Sequence, residues 1–175
     1  EIEWSKLQRH FYTTSSCGVC GKTSLEALEN SACQWVGSND FTTTYDLIFN
    51  LPKALLSNQE AFEQSGGLHA TALFNQDGKL LCLREDVGRH NAMDKVVGWA
   101  LENGSLPLNN HILLWSGRAS FELMQKAAIA GIPVVAAIGA PSNLAVDIAK
   151  QFNLTLVGFL KKGRMNIYHG GERIK

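Results

Sequence analysis

Apolar positions along the chain change their spacing twice. From Tyr45 to about Gln64 they recur every three or four residues, the period of helices lying on a core, and Pro52 predicts a break between two of them. After Gly66-Gly67 the period shortens. Residues 69–75 and 79–87 read as strands around the turn Asn75-Gln76-Asp77-Gly78, a hairpin. Helices and strands then alternate: a helix over 91–101, a buried strand over 111–115, and a helix over 121–130 stopped by Gly131. A β-branched strand over 133–138 follows, then a helix capped by Ser142 and running to about Phe152, and strands over 154–160 and 164–169. This order predicts a single three-layer α/β domain, with a mixed sheet of at least three parallel strands and an antiparallel hairpin at its start. Residues 1–22 break the pattern. Thr13-Thr14-Ser15-Ser16 leads into Cys17-Gly18-Val19-Cys20-Gly21-Lys22, a partly flexible loop, and Ser24-Leu25-Glu26-Ala27-Leu28 opens a short helix.

Composition narrows the function classes. The 175 residues are 45% hydrophobic and 18% charged, the balance of an ordinary globular domain, with no repeat and no low-complexity segment. Formal net charge is zero, which removes the broad basic footprint of a nucleic-acid or membrane-surface binder. No apolar run reaches the roughly 18 residues that span a bilayer. The chain opens Glu1-Ile2-Glu3-Trp4, with neither a signal-peptide pattern nor an initiator Met, so it is expected to be a fragment whose natural start lies upstream. Of the four cysteines, Cys82 stands in the apolar run Leu80-Leu81-Cys82-Leu83 as a small hydrophobe and Cys33 reads as structural. A core-rich chain of this size needs no disulfide staples, and a reducing cytoplasm is expected.

Chemistry concentrates first at Cys17 and Cys20. A structural zinc site needs four ligands, but there is no second Cys-x-x-Cys, and His69, His90, His111 and His169 are scattered. A thioredoxin-type redox pair opens a helix after an early strand, whereas here the flanks are Ser and Gly in a loop. A persulfide carrier needs an exposed, mobile thiol of low pKa; glycines supply the mobility and Lys22 a nearby cation. Two surface cysteines without a role are the plain alternative. All four readings stay open, and the third fits the loop best.

Other polar clusters fall where strands pass into helices, the place at which α/β sheets bind ligands. Arg84-Glu85-Asp86-Val87-Gly88-Arg89-His90-Asn91, followed by Asp94-Lys95, is the densest, with Arg89, His90 and Asn91 as candidate binding residues. Ser116-Gly117-Arg118-Ala119-Ser120 offers Ser116, Gly117 and Arg118. Gly139-Ala140-Pro141-Ser142-Asn143 offers Ser142 and Asn143, although a plain turn with a Ser N-cap explains it equally well. Three such loops on one sheet edge, each with backbone N–H groups, suit a phosphate-bearing ligand. Phe159, Leu160, Lys161, Lys162, Gly163 and Arg164 put three cations around a glycine between two strands: a solvated hairpin tip, or a pyrophosphate clamp. His69 after Gly66-Gly67 is a weaker candidate.

Together these stretches resemble the formate dehydrogenase accessory sulfurtransferase (FdhD) family. The matching segments are CGVCGKTSLEAL at 17–28, GGLHATAL at 66–73, EDVGRHNAMDKVVGWAL at 85–101, SGRASFELMQKAAIAGIPVVAAIGAPSNLAV at 116–146 and LTLVGFLKKGRMNIY at 154–168. The resemblance implies a cytidine-deaminase-like fold, with an N-terminal part largely absent from this chain. It implies a cysteine desulfurase as sulfur donor, a formate dehydrogenase as client, and a homodimer. It also implies that the molybdenum bis(molybdopterin guanine dinucleotide) cofactor is bound as substrate, with no tightly held metal of the protein's own. Its persulfide residue maps to Cys17, with Cys20 as the second cysteine of the pair, and its cofactor-contacting segment maps to Phe159–Arg164. Deaminase chemistry itself does not fit: no Pro precedes the Cys-x-x-Cys, and His69-Ala70-Thr71 lacks the required Glu. A non-catalytic cofactor chaperone is the second hypothesis.

Overall fold

A computed structural model describes residues 41–175. Helix α1 (Tyr45–Leu56) and the short α2 (Glu60–Ser65) come first. They are followed by β1 (His69–Asn75), β2 (Leu80–Asp86), α3 (Arg89–Glu102), β3 (His111–Trp115) and α4 (Phe121–Ile129). Strand β4 (Val134–Ala137), α5 (Asn143–Gln151), β5 (Thr155–Lys161) and β6 (Arg164–His169) complete the set. The six strands form one mixed sheet in the order β2-β1-β3-β4-β5-β6. Strands β3, β4 and β5 are parallel, whereas β1 is antiparallel to both β2 and β3, and β6 to β5.

Strand alternation builds the three layers. Leu73, Leu113, Trp115, Val135 and Leu156 face Met93, Val96, Leu123, Met124 and Ile148 of α3, α4 and α5. Ala72, Phe74, Ile112, Leu114, Ala136 and Val157 face Ile48, Leu51 and Leu55 of α1. The central strands β3 and β4 are therefore apolar on both sides, and β4 is buried along its whole length. Cys82 belongs to the first of these cores; burial pushes its thiol pKa up, against the opposing effect of Arg84.

The expected break at Pro52 is corrected: α1 runs through it. Ile48, Leu51 and Leu55 form one buried stripe across the proline, and this packing holds the helix despite the missing N–H. The interruption falls instead between Ser57 and Gln59. The hairpin turn is as expected. Asn75 Oδ1 accepts from the N–H groups of Asp77 (3.1 Å) and Lys79 (2.8 Å), and Gly78 takes φ +76°, which its neighbour Leu47 would obstruct for a larger residue.

Candidate functional site

Strand directions decide where the chemistry gathers. Because β1 is antiparallel to both neighbours, β2 points the same way as β3, β4 and β5. Their C-terminal ends lie on one edge, together with His69 at the start of β1 and Arg164 at the start of β6. That edge carries Asp86–Asn91, Ser116–Ser120, Gly139–Asn143 and the β5–β6 tip side by side.

The loops are fastened to one another. Ile138 N–H donates to Trp115 O (3.0 Å), Gly139 to Gly117 O (2.9 Å) and Phe159 to Gly139 O (3.0 Å). Ala119 N–H donates to Ala140 O (3.2 Å) and Ser142 to Ala119 O (3.0 Å). The amides of Ala119, Gly139 and Ser142 are thus engaged within the protein. A side chain on Gly139 would put its Cβ 2.9 Å from Arg118 Cγ and 3.0 Å from Gly117 O, so the seam requires glycine there. Ser142 Oγ caps α5 by accepting from Ala145 N–H (3.2 Å), and Asn143 follows it, exposed, as the first residue of that helix.

Around the start of α3 the acidic and basic residues organise one another. Asp86 holds Lys95 at 2.6 Å and accepts from Gly88 N–H (2.9 Å) and Asn91 Nδ2 (3.0 Å). The Lys95 bond, then the Gly88 and Asn91 bonds, lower its carboxyl pKa to about 2. Glu85 reaches the other way, accepting from the N–H groups of Ala61 (3.0 Å) and Phe62 (2.9 Å) at the start of α2. His90 Nε2 lies 2.9 Å from Glu122 Oε2 and 3.2 Å from Ser120 Oγ, tying α3 to the first turn of α4. Its pKa is pushed down mainly by burial, with Glu122 opposing that shift. Arg89 is half-buried, and among the described residues its Nε has no partner. Ser116 Oγ accepts from Ala70 N–H (2.8 Å), while Arg118 projects into solvent.

At the opposite end of the edge, the β5 register slips between Gly158 and Lys161. Phe159 sits in that bulge with φ +52° and is 42% exposed, an uncommon backbone conformation for an aromatic residue. Lys161, Lys162, Gly163 and Arg164 are exposed beside it, whereas Leu160 is buried in the core shared with α1. Cys17 and Cys20 lie outside the described residues. Among those described, no group of three or more His, Cys, Asp or Glu is placed to hold a metal ion, and no helix is long and apolar enough to cross a membrane.

Comparison with known proteins assigns this arrangement. Residues 2–175 match the model of the FdhD/NarQ family. The chain belongs to that family. It is 55% identical over 170 residues to a sulfur carrier protein FdhD of Streptomyces coelicolor, with 96% of the chain and 60% of that relative aligned. It is 53% identical over 168 residues to the FdhD of Mycobacterium tuberculosis, covering 96% of the chain and 61% of the relative. For the FdhD of Picrophilus torridus the identity is 45% over 166 residues, covering 95% and 63%. The chain therefore spans about three-fifths of the length of these FdhD relatives. A crystal structure from Desulfotalea psychrophila, assigned as a formate dehydrogenase accessory protein, superposes with a TM-score of 0.72 at 32% identity. The match covers 78% of this chain and 58% of that one.

Sequence reasoning missed a hollow of about 420 Å³ on the α1 side of the edge, lined by Leu55, Gln59, Phe62, His69, Ser116 and Ile138 among others. Of the residues that sequence reasoning named, His69 with Gly66-Gly67, and Ser116, line it. Nothing in the sequence singled out Gln59.

Proposed function

We propose that this FdhD-family chain is a sulfur carrier. It takes sulfur from a cysteine desulfurase onto Cys17 and passes it to a molybdenum bis(molybdopterin guanine dinucleotide) cofactor destined for a formate dehydrogenase. The observation that carries this reading is the family match. It extends over the Cys17–Cys20 segment, and its relatives are named sulfur carriers. The accessory-protein neighbour supports a formate dehydrogenase as client.

The chemistry needs little apparatus. The Cys17 thiolate attacks the outer sulfur of the donor's cysteine persulfide; a new S–S bond forms, the old one breaks, and the donor cysteine leaves as thiolate. The outer sulfur of the Cys17 persulfide then passes to the cofactor, which supplies the electron pair of the new bond while the S–S bond breaks and Cys17 leaves as thiolate. Cys20, three residues away, is the second cysteine of the pair. The cofactor is cargo. Its phosphates are matched by the exposed cations Arg118, Lys161, Lys162 and Arg164, held at fixed positions by the fastened loops and the β5–β6 hairpin.

The test is loading. Incubation with a desulfurase and cysteine, followed by intact-mass and peptide analysis, is expected to add about one sulfur to the 17–20 peptide, and Cys17→Ala is expected to abolish it. An adduct confined to Cys20 would move the role to that residue. No adduct on either cysteine would favour a non-catalytic cofactor chaperone.

A further inference from the structure

The two edges of the sheet are finished differently. At β2, the opposite residue Ala70 uses both its N–H and its C=O on Ser116, on the β3 side, so Glu85 turns its own backbone groups away from the sheet. Leu83, two residues earlier, does the same. Both outward carbonyls are covered: Lys95 Nζ donates to Glu85 O (3.0 Å) and Arg84 Nη1 to Leu83 O (2.9 Å). An edge whose acceptors are already taken by the chain's own cations is a poor template for another strand.

At β6 the edge is bare. Thr155 N–H donates to Pro133 O on the β4 side, so Leu156 and Gly158 turn to β6, where they meet His169 and Asn166. Met165 and Ile167 therefore direct their N–H and C=O groups outward, and among the described residues no hydrogen bond reaches those groups. Their side chains are half-buried against the core shared with α1. The strand holds no Pro, Lys, Asp or Glu that would ward off a neighbour. Its surroundings carry one sign. From 148 to 171 the sequence has Lys150, Lys161, Lys162 and Arg164 and no carboxylate, in a chain whose formal net charge is zero. Lys161, Lys162 and Arg164 are exposed where the strand begins.

We infer that the β6 edge takes an extended, acidic segment of a partner protein as an added strand. The backbone groups of Met165 and Ile167 supply the ladder, and carboxylates on the segment meet Arg164 and the lysines beside it. A second copy of the chain fits less well. Antiparallel pairing of β6 with itself turns the two site-bearing edges in opposite directions and sets no carboxylate against either Arg164. The inference goes beyond sulfur carriage: it gives the chain a way to hold a partner through backbone bonds alone, at the opposite side of the sheet from β2.

The probe is a fluorescent peptide of alternating Thr and Val closed at its C-terminus by a Glu pair, which an antiparallel ladder sets beside Arg164. Anisotropy is expected to show saturable binding, about tenfold weaker for Arg164→Glu and recovered when that variant is given the same peptide ending in a Lys pair. Residue-resolved hydrogen exchange at Met165 and Ile167 is expected to slow by about tenfold or more on binding, while β2 exchanges as before. Met165→Pro removes an outward N–H without cutting a bond to β5, and is expected to abolish binding. Unchanged exchange in β3 and β4 shows that this variant is folded. Absence of binding to wild type overturns the inference. So does a peptide that GDP displaces and that never protects Met165 and Ile167, because charge alone then holds it. Slow exchange at both amides in the free chain shows the edge already covered, and protection that rises with protein concentration alone assigns it to a second copy; either result overturns the partner strand. Failure of the Lys-ended peptide to rescue Arg164→Glu overturns the acidic partner.

Discussion

At the scale of single residues, the tightest constraint is Gly139. An alanine there brings a Cβ within 2.9 Å of Arg118 Cγ and 3.0 Å of a backbone oxygen, so Gly139→Ala is expected to destabilise by about 1–3 kcal/mol, the usual cost of overpacking. A denaturant midpoint equal to that of wild type would show that the seam yields easily. Phe159 makes the opposite case. With φ +52° and a ring in solvent, it does little for the core, so Phe159→Gly is expected to leave Tm unchanged or raised while weakening GDP binding. A fall of the size seen for a buried Phe, about 3–5 kcal/mol, would show the ring to be packed after all. Sequence alone identified Cys82 as core, because apolar neighbours flank it on both sides. It had no means of separating Leu160 from its basic neighbours: alternation puts Leu160 inward and Lys161 outward, and a bulge, invisible in composition, turns Phe159 outward.

At the scale of elements, the β5–β6 hairpin and the start of α3 have separable duties. Lys162→Ala/Arg164→Ala is expected to cost about 1–3 kcal/mol of GDP binding, the range for charge-assisted hydrogen bonds, while sulfur loading on Cys17 persists. Calorimetry beside the loading assay checks both halves, and loss of loading would show that carrier loop and cation hairpin act as one. The start of α3 governs acid sensitivity. Asp86 titrates at about 2 instead of its ordinary 3.8, so its contribution to stability is complete above 3.8 and is lost as pH falls toward 2. His90 is lowered from 6.5, so the unfolded chain binds that proton more readily, and stability declines as pH drops below 6.5. His90→Gln is expected to flatten the fall between pH 7 and 5 and leave the fall below pH 4 in place, as read from denaturant midpoints at each pH. Element type and order were legible throughout 69–169, because period-two and period-3.6 stretches alternate there with clear Gly, Pro and Ser punctuation. Pro52 misled because tertiary burial of Ile48, Leu51 and Leu55 outweighs one missing backbone donor.

At the scale of the molecule, the sheet's strand order turns separate segments into one edge, and that convergence was readable from the strand–helix alternation alone. The hollow was not, because its lining joins Leu55, Gln59 and Phe62 to Ser116 and Ile138, segments that only the folded chain brings together. A cofactor bearing two guanine nucleotides is matched by a two-fold assembly, one nucleotide to each subunit, and a homodimer is accordingly expected. Light scattering that returns the 19.2 kDa monomer at micromolar concentration with GDP present would count against it. The fastened loops carry a kinetic consequence. Since Gly117, Ala119, Gly139, Ser142 and Phe159 are already tied to one another, the loop backbone has little ordering left to do if a phosphate binds there, and only the exposed side chains must settle. Inorganic pyrophosphate mixed rapidly with the protein should therefore associate at a rate that climbs linearly with concentration and never levels off, the mark of a surface that is ready before its guest.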